Sequence, residues 1–367
     1  MVLPLLLTVA RAIVFKESRM KENTIIEILE KTITEFKNKK IPFTTFSYNL
    51  QKLYNDCQKT ELVLGIEEQT ENRERLSFVN DFCAELGKKQ ISQEQDLFSE
   101  SVYKIYNFIS KIYCFLTNTI PPVDSECQYL IDGLNQSRFV TVNETISPLV
   151  DSELKDIWES LDTVSEQCVN GLMDYAMKRR VRTNFSVYDG PVMPNQIHLN
   201  DLDDNLLDSV GAFLQKSKLE TVLKNWFGGN IGVANVRCWR YFHLDEIKNT
   251  EKFPFKQINA HVDRIAPESL KIMVFRGEIT EEDGCFEILP DHPYEHTVVK
   301  VLGNNPVAIC DVDKLYHKAE MPVKGKERDA IEITIVPRFE DDLLVTHGGW
   351  HAGRPLNPFS GWRSEKI

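Results

Sequence analysis

Near residue 180 the spacing of apolar residues changes its period, and that change confines the chain to a two-part α+β architecture. From Asn23 to about Lys178 the period is helical. Ile25, Leu29, Thr32, Ile33 and Phe36 share one helix face; Phe46, Leu50, Leu53, Tyr54 and Cys57 share another; Phe78, Val79, Phe82, Cys83 and Leu86 repeat the pattern. The run from Phe98 to Leu116 is apolar over a wide arc and reads as a central helix, stopped by Pro121-Pro122. Leu154, Ile157, Trp158, Leu161, Leu172 and Tyr175 suggest one or two more. Beyond residue 180, short runs rich in β-branched and aromatic residues take over: Gly232–Phe242, Lys271–Phe275, Cys285–Leu289, Thr297–Leu302, Val307–Asp311 and Ala330–Val336. Turn signals at Gly277, Asp283-Gly284 and Gly303–Pro306 separate them. Strands this short and this closely spaced predict a sandwich or jelly roll. The expected division is a helical region over 1–180, a β domain over 181–340 and an irregular tail over 341–367.

Within the β-rich part, His261-Val-Asp263 is followed 54 positions later by His317, and Arg328 lies 11 positions beyond that. Residues i and i+2 of an extended chain point to one side, so one imidazole and one carboxylate can approach a single ion from adjacent directions. Two histidines and a carboxylate form a facial ligand set for non-haem ferrous iron, with positions left open. His-x-Asp alone is a weak signal; the later histidine and arginine in a β-rich context give it weight. Arg328 opens Arg328-Asp-Ala-Ile-Glu-Ile-Thr-Ile, in which Ala330, Glu332 and Thr334 alternate with Ile331, Ile333 and Ile335. That pattern predicts a strand with one buried face. A guanidinium at its start suits a carboxylate held by two parallel hydrogen bonds.

Residues from about 231 to 338 resemble the phytanoyl-CoA dioxygenase-like branch of the iron(II)/2-oxoglutarate oxygenases. The matching pieces are His261-Val-Asp263, Asp283-Gly284 through Pro290 and His292, Leu315-Tyr-His317-Lys-Ala, and Arg328-Asp-Ala-Ile. Pro290 and His292 stand one residue closer than in that branch, which leaves His292 without an assigned role. The resemblance covers under a third of the chain. It implies a double-stranded β-helix in which His261, Asp263 and His317 bind Fe(II) and Arg328 holds the far carboxylate of 2-oxoglutarate. It further implies consumption of O2 and release of succinate, with hydroxylation of a small organic molecule as the default outcome. Oxidative ring closure or desaturation of an anionic, amino-acid-derived metabolite, as in kainoid synthases of secondary metabolism, is the nearest alternative. A catalytically silent jelly-roll binding protein is the alternative from another class. A hydrolytic or isomerising cupin would need no carboxylate clamp at Arg328.

Further candidates for contact with substrate are Arg237, Arg240 and Lys271. Arg237 and Arg240 have opposite parity on one predicted strand, so at most one faces a cavity without a bulge; rim salt bridges and a solvated lysine are the plainer readings. His243, His292 and His296 form a possible second metal set that no regular element aligns, and His347-Gly-Gly-Trp-His351 reads as loop, since two glycines disfavour a helix.

A net charge of −12 argues against a nucleic-acid partner, because phosphate binding needs a basic field. Eight cysteines without a Cys-x-x-Cys pair look like reduced thiols, and a cytoplasmic protein is expected. The apolar start, Met1 to Ala10, is too short to span a bilayer; a leader within residues 1–20 stays open.

Overall fold

Eleven residues with alternating isoleucines place the strand Glu327–Pro337 at the centre of the β structure. The computed structural model describes residues 23–58, 66–79, 81–82, 100–117, 119–142, 145–168, 196–199, 202–243, 260–263, 269–290 and 297–337. The N-terminal twenty residues, the tail over 341–367, His292, His296, His347 and His351 lie outside them.

Helices come first: α1 over 23–37, α2 over Phe43–Gln58, α3 over Ile66–Arg75, α4 over Glu100–Thr117 and α5 over Ser125–Ser137. Asp124 caps α5 by accepting from the Cys127 amide. Then come β1 (Phe139–Val142), α6 (Ser147–Glu153), α7 (Lys155–Cys168), β2 (Gln196–Leu199), α8 (Asp204–Lys216), α9 (Leu219–Phe227) and β3 (Ile231–Phe242). The remaining strands are β4 (Leu270–Phe275), β5 (Glu278–Ile279), β6 (Phe286–Leu289), β7 (Val299–Val301), β8 (Gly303–Asn304), β9 (Val307–Cys310), β10 (Tyr316–Ala319) and β11 (Glu327–Pro337). A six-stranded antiparallel sheet runs β1-β9-β4-β11-β3-β2, and a three-stranded one runs β10-β6-β7.

Three packed clusters follow from this order. Helices α1 to α4 bury Leu29, Phe46, Leu50, Ile109 and Ile112 among themselves. Helices α5 to α9 cover one face of the large sheet, with Trp158, Phe213 and Phe227 packed against Val236, Ile272, Val274, Ile331 and Ile333. Between the other face and the small sheet lie Tyr241, Phe275, Phe286, Ile288 and Ala308. Each large apolar side chain buried in these clusters stabilises by roughly 1.5–3 kcal/mol.

The sequence pattern and the fold part company in three places. β1 lies within the stretch whose period is helical, and its four residues pair with β9. α8 and α9 lie within the β-rich part; Asp203 caps the first by accepting from Leu206, and Gly228 ends the second at φ +66°. β11 is buried on both faces, not one. Helices cover its isoleucines, while Glu332 and Thr334 turn into the interior between the sheets, where Glu332 finds cationic partners. The turn at Asp283-Gly284 does require glycine: φ is +70°, and a Cβ would meet the Glu320 carbonyl oxygen at 2.4 Å.

Candidate metal centre

His261 and His317 are brought together by backbone before side chains are considered. Each donates its amide to the other's carbonyl, at 3.1 and 3.0 Å, forming a single antiparallel bridge. The Asp263 amide donates to the Val312 carbonyl at 3.0 Å, which fixes the carboxylate two residues along. Asp263 Oδ1 then lies 3.3 Å from His261 Nε2 and 3.6 Å from His317 Nε2. His317 Nδ1 donates to the Leu315 carbonyl at 3.2 Å; a carbonyl only accepts, so Nε2 presents its lone pair to the shared space. Ligand atoms of the three residues lie within 4.8 Å of one another. Bonds of about 2.1 Å at right angles place neighbouring ligand atoms about 3 Å apart. The two separations from Asp263 Oδ1 exceed that by a few tenths of an ångström, and the third donor lies within the same 4.8 Å, so the donor set fits a divalent ion.

Asp263 is partly enclosed, and its second oxygen accepts from Lys271 Nζ. Burial pulls this carboxyl up, but the Lys271 ammonium outweighs it and holds it well below the usual carboxylate range. Lys271 also donates to Glu332 Oε2 at 2.9 Å. Glu332 accepts from Arg237 Nε at 2.9 Å and Nη2 at 2.6 Å. Burial opposes the charge on Glu332 too, and Arg237 and Lys271 override it. Arg237 also stacks on Trp239, 5.6 Å from the ring centroid. The result is an alternating chain of charges, Asp263, Lys271, Glu332 and Arg237, on the cavity face.

Arg328 is the exception on that face. It is 3% exposed and lies between the rings of Tyr241 and Phe275, 5.2 and 5.6 Å from their centroids. Among the described residues its Nε and Nη1 hydrogens find no acceptor. Burial pulls its pKa down to about 10, so it is still a cation at neutral pH. An uncompensated buried charge costs on the order of several kcal/mol, and a bound carboxylate would remove most of that cost. The cavity that Arg328 lines is the one lined by His261, Asp263 and His317.

The other candidates divide. Arg237 and Lys271 line this cavity, each already facing a carboxylate. Arg240 does not reach it. On β3 it points to the helix-covered face, where it bonds Asp329 through Nε at 2.7 Å and Asp162 of α7 through Nη2 at 2.6 Å. Its proposed contact with substrate is therefore withdrawn, and strand parity is the reason. His243 donates through Nδ1 to the Pro322 carbonyl at 2.9 Å. Sequence reasoning missed Gln196 and His198 on β2, which line the cavity, with His198 stacked 5.8 Å from Trp239. Their only signal was the alternation in a four-residue strand. It also left Glu332 without a role, although an acid inside an isoleucine-rich strand calls for a buried partner.

No protein-family model matches the chain, and no curated protein does. Similar solved structures include the non-heme alpha ketoglutarate dependent epimerase SnoN from nogalamycin biosynthesis, 14% identical over 58% of this chain and 83% of that one, TM-score 0.36. AviO1 from Streptomyces viridochromogenes Tue57 is 15% identical over 59% and 96%, TM-score 0.37. HygX from Streptomyces hygroscopicus, with nickel and 2-oxoglutarate bound, is 11% identical over 59% and 88%, TM-score 0.33. Overlaps this slight assign nothing, and the functional reading rests on the side chains. Among the described residues no helix is long and apolar enough to cross a membrane.

Proposed function

We propose that the chain is an iron(II)- and 2-oxoglutarate-dependent oxygenase acting on a small organic molecule, with the two facing sheets as its double-stranded β-helix. His261, Asp263 and His317 would hold the iron. Arg328 would bind the far carboxylate of 2-oxoglutarate, guided by the Tyr241 and Phe275 rings on either side. When bound, ferrous iron and O2 supply the oxidative decarboxylation of 2-oxoglutarate to succinate and the coupled oxidation of a C–H bond. The protein's own part is to orient both reactants and to keep water from the space between the sheets, where Phe286 and Met273 line the cavity.

One observation carries the reading: a buried guanidinium, with two donors unused among the described residues, opens on the same cavity as the three ligand atoms. A scaffold that only bound a partner would have no physical use for that pairing. Ring closure on an anionic substrate was suggested by the additional cations, but Arg237 and Lys271 are both engaged by acids, so hydroxylation stays first. Succinate release on adding ferrous iron and 2-oxoglutarate in air, abolished by a chelator, is the expected result. Iron-loaded protein that releases no succinate and binds no 2-oxoglutarate refutes it.

A further inference from the structure

Asp263 divides its two oxygens between different partners, and that division bears on the site just proposed, whose cosubstrate reading it assumes. Oδ1 faces both imidazoles at 3.3 and 3.6 Å, while Oδ2 accepts from the Lys271 ammonium. Lys271 stands inside β4 with its side chain 4% exposed, and Glu332 holds it from the other side at 2.9 Å. Glu332 is anchored by Arg237 in turn. The ammonium thus lies between two carboxylates with little freedom to swing away, and Arg237 completes the charge balance.

We propose that Lys271 is a positioning residue that restricts Asp263 to one metal-facing oxygen, so that the ion keeps its remaining positions for 2-oxoglutarate and O2. A carboxylate free at both oxygens can chelate through both. A second oxygen on the ion would leave two positions where the keto-acid end of 2-oxoglutarate and O2 together need three, so the cosubstrate would bind in competition with it. With Oδ2 committed to a buried ammonium, that second bond can form only by breaking the ion pair. Hydrogen-bond partners of metal ligands set ligand orientation in just this way.

Lys271→Met by itself would leave two buried carboxylates face to face, so the test uses Lys271→Met with Glu332→Gln, which removes one buried charge of each sign. Three quantities are measured: thermal melting, ferrous iron content after dialysis, and the Kd of 2-oxoglutarate titrated anaerobically into iron-loaded protein. The expected result is a cooperative melt, retained iron and a 2-oxoglutarate Kd raised roughly 10–100-fold. A Kd equal to wild type overturns the assignment. Loss of iron together with cosubstrate also overturns it, since Lys271 would then hold the ligand set together. If the double variant does not fold, Glu332→Gln alone frees Lys271 from one anchor and predicts a smaller rise in the same Kd, with no rise counting against the proposal. The wild-type arm separates the two readings. Iron-loaded wild type that takes up no 2-oxoglutarate brings down the oxygenase reading and this inference together; wild type that binds while the variant binds equally well removes only the role of Lys271.

Discussion

Two arginines on opposite faces of the central sheet have opposite surroundings. Arg240, on the helix-covered face, has Asp329 and Asp162 within 2.8 Å, and Arg276 bonds the same two acids. The pairing with Asp329 lifts its pKa above the ordinary arginine value. Arg328, on the cavity face, is more deeply buried and has two donors unused among the described residues, and burial pulls it the other way. A closed charge network fastens elements together: Asp162 belongs to α7, so these pairs clamp that helix to β3 and β11. An open buried charge does no such work and makes sense as a seat for an anion. The contrast separates what supports the fold from what serves the ligand.

The largest expected effect lies wholly on the open side. His261→Ala leaves two ligands and should reduce iron content after dialysis, and turnover, to background. Its melting temperature without metal should stay close to wild type. Near-normal iron content in that variant would remove His261 from the site. On the closed side, Asp329→Ala leaves Arg240 and Arg276 sharing Asp162 and should lower unfolding free energy in urea by about 3 kcal/mol. Its iron content should not change; an unaltered urea midpoint would show that the clamp is not needed. Arg328→Met sharpens the contrast by its sign. The 2-oxoglutarate KM should rise about 30–150-fold, since charge-assisted bonds contribute about 2–3 kcal/mol. Stability without ligand should hold or improve, because an uncompensated cation has gone. Loss of stability comparable to that of Asp329→Ala would mean that Arg328 is structural.

How legible this was in the sequence depended on which forces act locally. Strands rich in β-branched and aromatic residues and bounded by turn signals were placed to within a few residues; Lys271–Phe275 was expected and Leu270–Phe275 found. β1 was not, because Phe139–Val142 is extended through pairing with Val307–Cys310, some 170 residues away. α8 escaped notice although Asp203 before Leu206 is an ordinary capping signal, since the surrounding strand pattern set the expectation. For the site, His261, Asp263, His317 and Arg328 could be singled out by residue type and spacing, and the structure brings all four to one cavity. Strand parity showed that Arg237 and Arg240 must diverge, but not which one faces inward, because that depends on where the helices pack. Glu332 was illegible, and Lys271, singled out only as a substrate contact or a solvated lysine, was half legible, for a related reason: each is tolerable in the interior because the other lies across β4 and β11.

The smallest effect expected comes from titrating the closed network. Asp162 faces Arg240 and Arg276, with Asp329 sharing both cations. Burial pushes the Asp162 carboxyl up, but hydrogen bonds from Arg276 and Arg240 prevail and its pKa is lowered. A group whose folded pKa is depressed binds fewer protons in the folded state, so its contribution is present above the unfolded carboxylate value of about 4 and is lost as pH falls through the folded value. Asp162→Asn should therefore be less stable than wild type at neutral pH, and the gap should close as pH drops below about 4. Because Asp162 is partly exposed, solvent screens the pair and the gap is modest. Urea midpoints across pH 2 to 7 measure it. A gap that stays constant with pH would mean that the side chain acts through packing, and the clamp on α7 would then owe little to charge.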